Sequence, residues 1–193
     1  MIILASQSPR RQDLLRQAGI PFRVAVPGVA EVRIEGEGPA AYVERLAREK
    51  ALAVPADPGD WVLAADTTVA LDEHVLEKPD NPADAARMLR LLSGRGHEVL
   101  TGVCVRHAAL LLSGVEITRV EFAALTDGEI EDYANSGEPL DKAGGYAIQG
   151  RASKFIPRIE GCYFNVVGLP VALLIETLAA FGVAPLSWAP PTP

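Results

Sequence analysis

Ile2-Ile3-Leu4-Ala5-Ser6-Gln7-Ser8-Pro9-Arg10-Arg11 is an apolar run that passes through two hydroxyls into two guanidiniums. It reads as a buried strand running straight into a helix start. Pro9 suits the first helical position, where its missing N–H costs nothing, and Ser8 then falls at the N-cap. A helix start offers backbone N–H groups and the positive end of the helix dipole, and arginine presents a planar fork that matches phosphate. The corner therefore reads as an anion site. By itself the motif also fits a surface turn with solvated arginines, since short motifs recur by chance.

Working outward, short apolar runs alternate with helical periodicity. A strand is expected near Phe22 to Val26, a helix from Pro39 to about Val54, and a proline-opened helix from Pro82 to Leu92. That alternation argues for an α/β fold. Trp61 to Ala65 and Thr68 to Leu71 read as two extended segments on either side of Asp66. From Glu98 to Leu125 come two long extended runs with Ser113-Gly114 as the hairpin turn between them. Thr126 and Glu129 form a capping box for a short helix that stops near Gly137, and a glycine-rich loop continues to Gly161. Pro170 opens a last helix to Phe181, which Gly182 ends, and Ala189 to Pro193 reads as a disordered tail. No internal repeat or long linker appears, so one domain is expected over residues 1–188, and a cleft would lie between lobes of that unit.

The 193-residue chain is 49% apolar and 22% charged, which excludes a disordered or collagen-like protein. Its net charge of −7 provides no global basic field, so no nucleic-acid partner is expected and any anion site must be local. Cys104 and Cys162 form no C-x-x-C pattern, and His74, His97 and His107 lack metal-ligand spacing. A reducing cytoplasmic setting fits this best. The longest apolar stretch, around Val166 to Ile175, is too short for a membrane span of roughly 20 residues. The polar pair Gln12-Asp13 comes directly after Arg10-Arg11, where an export signal needs an apolar segment, so no twin-arginine or other targeting signal is expected.

Several residues have the chemistry of a site. Asp66 interrupts Leu63-Ala64-Ala65-Asp66-Thr67-Thr68-Val69 and reads as a carboxylate at a strand end, where ligand crevices open in α/β proteins; an Asx turn is the other reading. Lys50 shares a helical stripe with Val43, Leu46 and Val54, so it projects toward the body of the protein, as an anion-seeking ammonium or as a lysine snorkelling to water. Lys78 precedes Pro79 and is held extended. Gly144-Gly145-Tyr146-Ala147-Ile148-Gln149-Gly150 allows close backbone approach, with Gln149 offering a donor and an acceptor to a nucleobase edge; an ordinary glycine turn is the alternative. Arg151-Ala152 replaces the Lys-Ser/Thr pair of a P-loop, and Ser6 and Ser8 have no histidine base, so P-loop and serine-hydrolase chemistry are set aside.

The order and wording of these blocks resemble the Maf family of nucleoside triphosphate pyrophosphatases over nearly the whole chain. The blocks are Leu4 to Arg11, Ala47-Arg48-Glu49-Lys50-Ala51, Ala65-Asp66-Thr67, Leu76-Glu77-Lys78-Pro79, Leu92-Ser93-Gly94 with His97, Ser136 to Gly144, Gln149-Gly150 and Val167-Gly168-Leu169-Pro170. The resemblance implies an α/β fold with a mixed, twisted sheet flanked by helices and two lobes around a central nucleotide-binding cleft, often a homodimer, that hydrolyses a nucleoside triphosphate to monophosphate and diphosphate. It implies Arg10, Thr67 and Gln149 as the pattern of the branch acting on dTTP and UTP. A sister branch that acts on 7-methyl-GTP carries an aromatic, a glutamine and a glutamate there. Gly145 stands where the family often has alanine, and Arg151-Ala152-Ser153 replaces a more glycine-rich run.

The resemblance also implies a mechanism. Ser6, Arg10, Arg11, Lys50 and Lys78 would hold the triphosphate, because attack on a polyanion is opposed until cations neutralise it. A divalent cation, Mg²⁺ or Mn²⁺, would be held by Asp66, with Glu31 as a further ligand. Asp66 is alternatively the general base, although an unperturbed aspartate, with a pKa of about 3.9, is a weak base at neutral pH. The other functional reading is a nucleotide-binding regulator of septum formation without turnover.

Overall fold

The computed structural model describes residues 1–182, and the tail from Ala189 expected to be disordered lies outside them. The elements run β1 Ile2–Ala5, α1 Pro9–Gln17, β2 Phe22–Ala25, α2 Pro39–Ala53, β3 Trp61–Leu71, β4 His74–Leu76 and α3 Pro82–Leu92. They continue with β5 Gly96–His107, β6 Leu110–Glu121, α4 Asp127–Ala134, β7 Arg158–Glu160, α5 Tyr163–Val167 and α6 Val171–Ala180. The strands form a seven-stranded sheet in the order β2-β1-β3-β5-β6-β7, with β4 paired to β3. The sheet is mixed, as expected: β1 is parallel to β2 and β3, while β3–β4 and β6–β7 are antiparallel.

The chain divides into two compact units. The first holds Met1–Asp66, Thr101–Glu116 and the described residues 168–182, and the second holds Thr67–Leu100 and Ile117–Val167. In the first, Ile3, Ala5, Ala47, Ala51, Val62 and Ala64 belong to one buried cluster with Val54 and Cys104. Most of these side chains are small, so helix and sheet approach closely. At Gly102 of β5 the approach is extreme: a Cβ added there would lie 2.3 Å from the Val43 carbonyl oxygen. Only glycine lets α2 rest on bare backbone at that point.

The second unit has its own core, in which Val69, Leu71, Leu89, Leu92, Phe122 and Phe155 take part. His97 is buried in it, 2.8 Å from the Tyr146 hydroxyl through Nε2. Its ring meets Phe122 and Tyr146 edge to face, with centroids 5.2 and 5.4 Å away.

Two expectations change. Trp61 to Leu71 is one continuous strand, so Asp66 is neither a strand end nor an Asx turn. The strand continues because it changes partners: it pairs with β1 through Leu63 and with β4 from Val69. The hairpin turn lies at Ala108-Ala109 rather than Ser113-Gly114, and Ala108 takes a left-handed φ of 50°. Ser113 and Gly114 lie within β6 because packing uses them there. The Ser113 hydroxyl donates to Glu44 at 2.7 Å and accepts from Arg48 at 3.0 Å, and a Cβ at Gly114 would stand 3.3 Å from Leu173.

Burial lowers the pKa of His97 from the ordinary 6.5 to about 4. Its Nδ1 has no hydrogen-bond partner among the described residues, so protonation would bury an unanswered donor. Between those two values the unfolded chain holds a proton that the folded chain refuses, so this contribution is complete above pH 6.5 and is lost as pH falls toward 4. The expected loss from this one residue is about 3 kcal/mol. Urea unfolding at pH 7 and pH 4.5 checks it. The pH dependence should shrink in His97→Gln, and an unchanged dependence would refute the assignment.

Candidate active site

Ser8 caps α1, its hydroxyl accepting from the Arg11 N–H at 3.5 Å, with Pro9 in the first turn. The buried Ser6 hydroxyl accepts from the Ser8 N–H and from Arg11 Nη1, each at 3.2 Å. Arg11 Nε donates to the Gly168 carbonyl at 2.8 Å. The solvated-turn reading therefore fails for Arg11. Its guanidinium end is surrounded by protein, although part of the residue reaches the surface. Desolvation lowers its pKa, the Asp66 charge opposes this, Arg10 adds to the lowering and Glu31 opposes it. Arginine remains charged under all these influences. Arg10 itself is half-buried.

The position of Asp66 is set by the period of a strand. Val62 and Ala64 face Ala47 and Ala51 of α2 in one cluster, and Asp66 is next on the same face. It lies beyond the last β1–β3 pair, Leu4 with Leu63. The crevice rule thus applies to the carboxyl end of β1 rather than to an end of β3. Lys50 falls on the apolar stripe of α2 and is only 6% exposed, which rules out a snorkelling tip. Its ammonium is 2.5 Å from Asp66 Oδ1 and 2.5 Å from Glu31 Oε1.

Glu31 lies in the segment 26–38, which has neither helix nor strand. Helix α2 holds that segment in place. The Tyr42 hydroxyl donates to the Glu31 carbonyl at 3.5 Å, and Arg45 Nη2 donates to the Val32 carbonyl at 2.9 Å. Arg45 also forks onto both oxygens of Glu37, each at 2.7 Å, and this hydrogen bonding holds the Glu37 carboxyl below the usual range.

Ser6, Arg11, Lys50, Asp66 and Glu31 are therefore gathered within the first unit, by hydrogen bonds, ion pairs and the charge fields on Arg11. Thr67, Lys78 and Gln149 belong to the second. Thr67 is half-buried, Lys78 is exposed ahead of a buried Pro79, and Gln149 is exposed in a turn. Sequence reasoning missed Tyr42 and Arg45, whose spacing on one helix face was the available signal. It also missed the Gly168 carbonyl, although Gly168 lies in one of the family blocks. Among the described residues no group of three or more His, Cys, Asp or Glu side chains is arranged to hold a metal. Cys104 and Cys162 are free thiols.

A family model described as Maf-like protein matches residues 1–181. A protein from Koribacter versatilis named dTTP/UTP pyrophosphatase is 54% identical over 183 residues, 94% of this chain and 95% of the relative. Proteins of the same name from Symbiobacterium thermophilum and Anaeromyxobacter dehalogenans are 53% and 52% identical. They cover 94% and 98% of this chain, and the same shares of their own lengths.

Lys50→Met should destabilise the fold by about 3 kcal/mol, because it leaves a buried carboxylate without its ammonium. The check is a shift of the urea midpoint at unchanged m. A loss below about 0.5 kcal/mol, the size of an ordinary surface change, would mean that the pair contributes little to the folded state.

Proposed function

Because the chain belongs to the Maf family, we propose that it hydrolyses dTTP and UTP to the nucleoside monophosphate and diphosphate. Relatives more than half identical over nearly the whole chain carry that name. The observation that carries the reading is the buried Asp66 carboxylate, paired with Lys50 and within the field of Arg11 at the carboxyl end of β1. Water attacks the α-phosphorus, the α–β anhydride bond breaks, and diphosphate leaves with the electron pair. Asp66 orients the attacking water and takes up its proton. Ser6 and Arg11 supply a fixed donor set for phosphate oxygens, and Arg10, Lys50 and Lys78 add positive charge. Arg10, Thr67 and Gln149 match the pyrimidine pattern of the family.

The donor set fits a divalent cation such as Mg²⁺ or Mn²⁺. Asp66 and Glu31 both offer carboxylate oxygens to one ammonium, and such hard cations commonly take one or two carboxylates together with substrate phosphates. When bound, the ion neutralises charge on the triphosphate. The family pattern further supports a homodimer, and the reduced cysteines and net charge of −7 support a cytoplasmic enzyme that binds no nucleic acid. Among the described residues no helix is long and apolar enough to cross a membrane.

A panel of triphosphates, including dTTP, UTP, dGTP and 7-methyl-GTP, tests the reading when products are identified. Monophosphate and diphosphate from dTTP and UTP are expected, whereas inorganic phosphate released stepwise would overturn it. Asp66→Asn should bind dTTP within a few-fold of the parent while kcat falls about a thousandfold. Near-normal turnover would remove Asp66 from the chemistry. Gln149→Glu should lower kcat/KM for dTTP and UTP by at least about tenfold more than for dGTP. An equal loss for every base would leave Gln149 without a reading role.

A further inference from the structure

The turn that carries Gln149 is held at both shoulders by two side chains without a part in the proposed chemistry: Tyr133, which lies outside the family blocks, and Glu138, which lies within the block Ser136 to Gly144. On the near side, the Ala147 N–H donates to the Tyr133 hydroxyl at 3.0 Å. On the far side, the Arg151 N–H donates to the Glu138 carboxylate, at 3.0 Å to one oxygen and 3.2 Å to the other. The two holds are joined, because the Tyr133 hydroxyl donates to Glu138 Oε1 at 2.8 Å. Within the turn, the Gly150 N–H donates to the Ala147 carbonyl at 3.0 Å. A chain of hydrogen bonds therefore runs from Ala147 through Tyr133 and Glu138 to Arg151, and Gln149 is exposed between its ends.

The fit is built from both sides. Gly150 has an ordinary negative φ, so no backbone need explains it. Space does: a Cβ at position 150 would lie 2.3 Å from Glu138 Oε1, so the carboxylate occupies the room a side chain would take. Tyr133 is 1% exposed and packs edge to face on Phe155, which fixes the phenol from behind. Burial and the neighbouring carboxylate push the Tyr133 phenol up, so it stays protonated and able to donate. Beyond the turn, Ala152 and Phe155 are buried, and the Arg151 guanidinium pairs with Asp132 at 2.7 Å.

We propose that Tyr133 and Glu138 are positioning residues for base selection: they clamp the turn from Ala147 to Arg151 so that Gln149 meets a pyrimidine edge in one orientation. The proposal rests on the reading of Gln149 as the residue that recognises the base. A polar side chain on a loose turn samples many directions, and each hydrogen bond to a base then costs ordering entropy. A clamped turn has already met that cost in folding. The benefit applies to pyrimidine substrates that use Gln149 and not to the triphosphate that all substrates share.

Tyr133→Phe keeps the buried ring and removes both hydrogen bonds of the hydroxyl. Glu138→Gln keeps the size and one carbonyl acceptor for Arg151, and Glu138→Ala keeps neither acceptor. Steady-state kinetics of the full chain with dTTP, UTP and dGTP should show kcat/KM for the two pyrimidines falling about tenfold in Tyr133→Phe and Glu138→Ala, the worth of one well-made hydrogen bond. Glu138→Gln should show a smaller loss. The loss should appear in KM more than in kcat, and dGTP should change by less than about twofold. A proportionate loss for all three substrates, or a fall in melting temperature with base preference intact, would overturn the proposal by making the clamp structural only. Gln149→Glu measured beside them separates the premise from the inference. If it leaves base preference unchanged, the reading of Gln149 fails; if it alters the preference while the clamp variants do not, the positioning role fails.

Discussion

The ammonium of Lys50 between the carboxylates of Asp66 and Glu31 is the contact on which the first unit is organised. A buried charge is tolerated only when it is paired and hydrogen-bonded, so three separate pieces of chain must converge on this point. Lys50 comes from α2, Asp66 from the middle of β3, and Glu31 from a segment without regular structure. The convergence is possible because Ala47, Ala51, Ala64 and Gly102 leave little between helix and sheet. Larger residues there would lift the ammonium away from the carboxylates. Small apolar side chains thus decide where the charged ones meet.

Arginine is used in two ways around this point. Arg45 ties the Glu31 segment to α2 through Glu37 and the Val32 carbonyl, and this role is structural. Arg11 is tied to Gly168 and Ser6 but also lies in the fields of Asp66 and Glu31. A guanidinium fixed in this way loses little further freedom when a phosphate arrives, which is the advantage of a preorganised donor over a solvated one. The second unit shows the same device without an ammonium at its centre, since a buried phenol and a carboxylate hold the turn that bears Gln149. In both units an irregular segment carries a polar group and a regular element keeps it in place.

Most of the framework is legible in the chain itself. Pro9, Pro39 and Pro82 mark helix starts that the structure has, and the Thr126–Glu129 capping box forms as expected. These signals are local, set by the residue's own backbone or by neighbours three or four positions away. Ser113-Gly114 misleads because its sequence has turn chemistry, while Ser113 is used by Glu44 and Arg48 of a helix far away in the chain. Ala108-Ala109 makes the turn without any residue that announces one. Short pieces such as β4 and β7 are invisible in the sequence, since three residues carry too little periodicity to be recognised.

By itself, then, the sequence determined the α/β class, the helix starts, the family and the residue types available for a triphosphate, because each is written in local pattern or in the wording of motifs. Only the tertiary structure decided which of those residues meet. Lys50 could have reached water, and it is buried because β3 runs on through Asp66 and places a carboxylate opposite it. Arg11 could have been solvated, and it is held because the Gly168 carbonyl comes back to it from far along the chain. Glu138 and Tyr133 announce no such role in the sequence, and they matter through bonds to Ala147 and Arg151 that exist only after folding. Pairing of charge and donor with acceptor depends on distance in space, and spacing along the chain does not encode that distance.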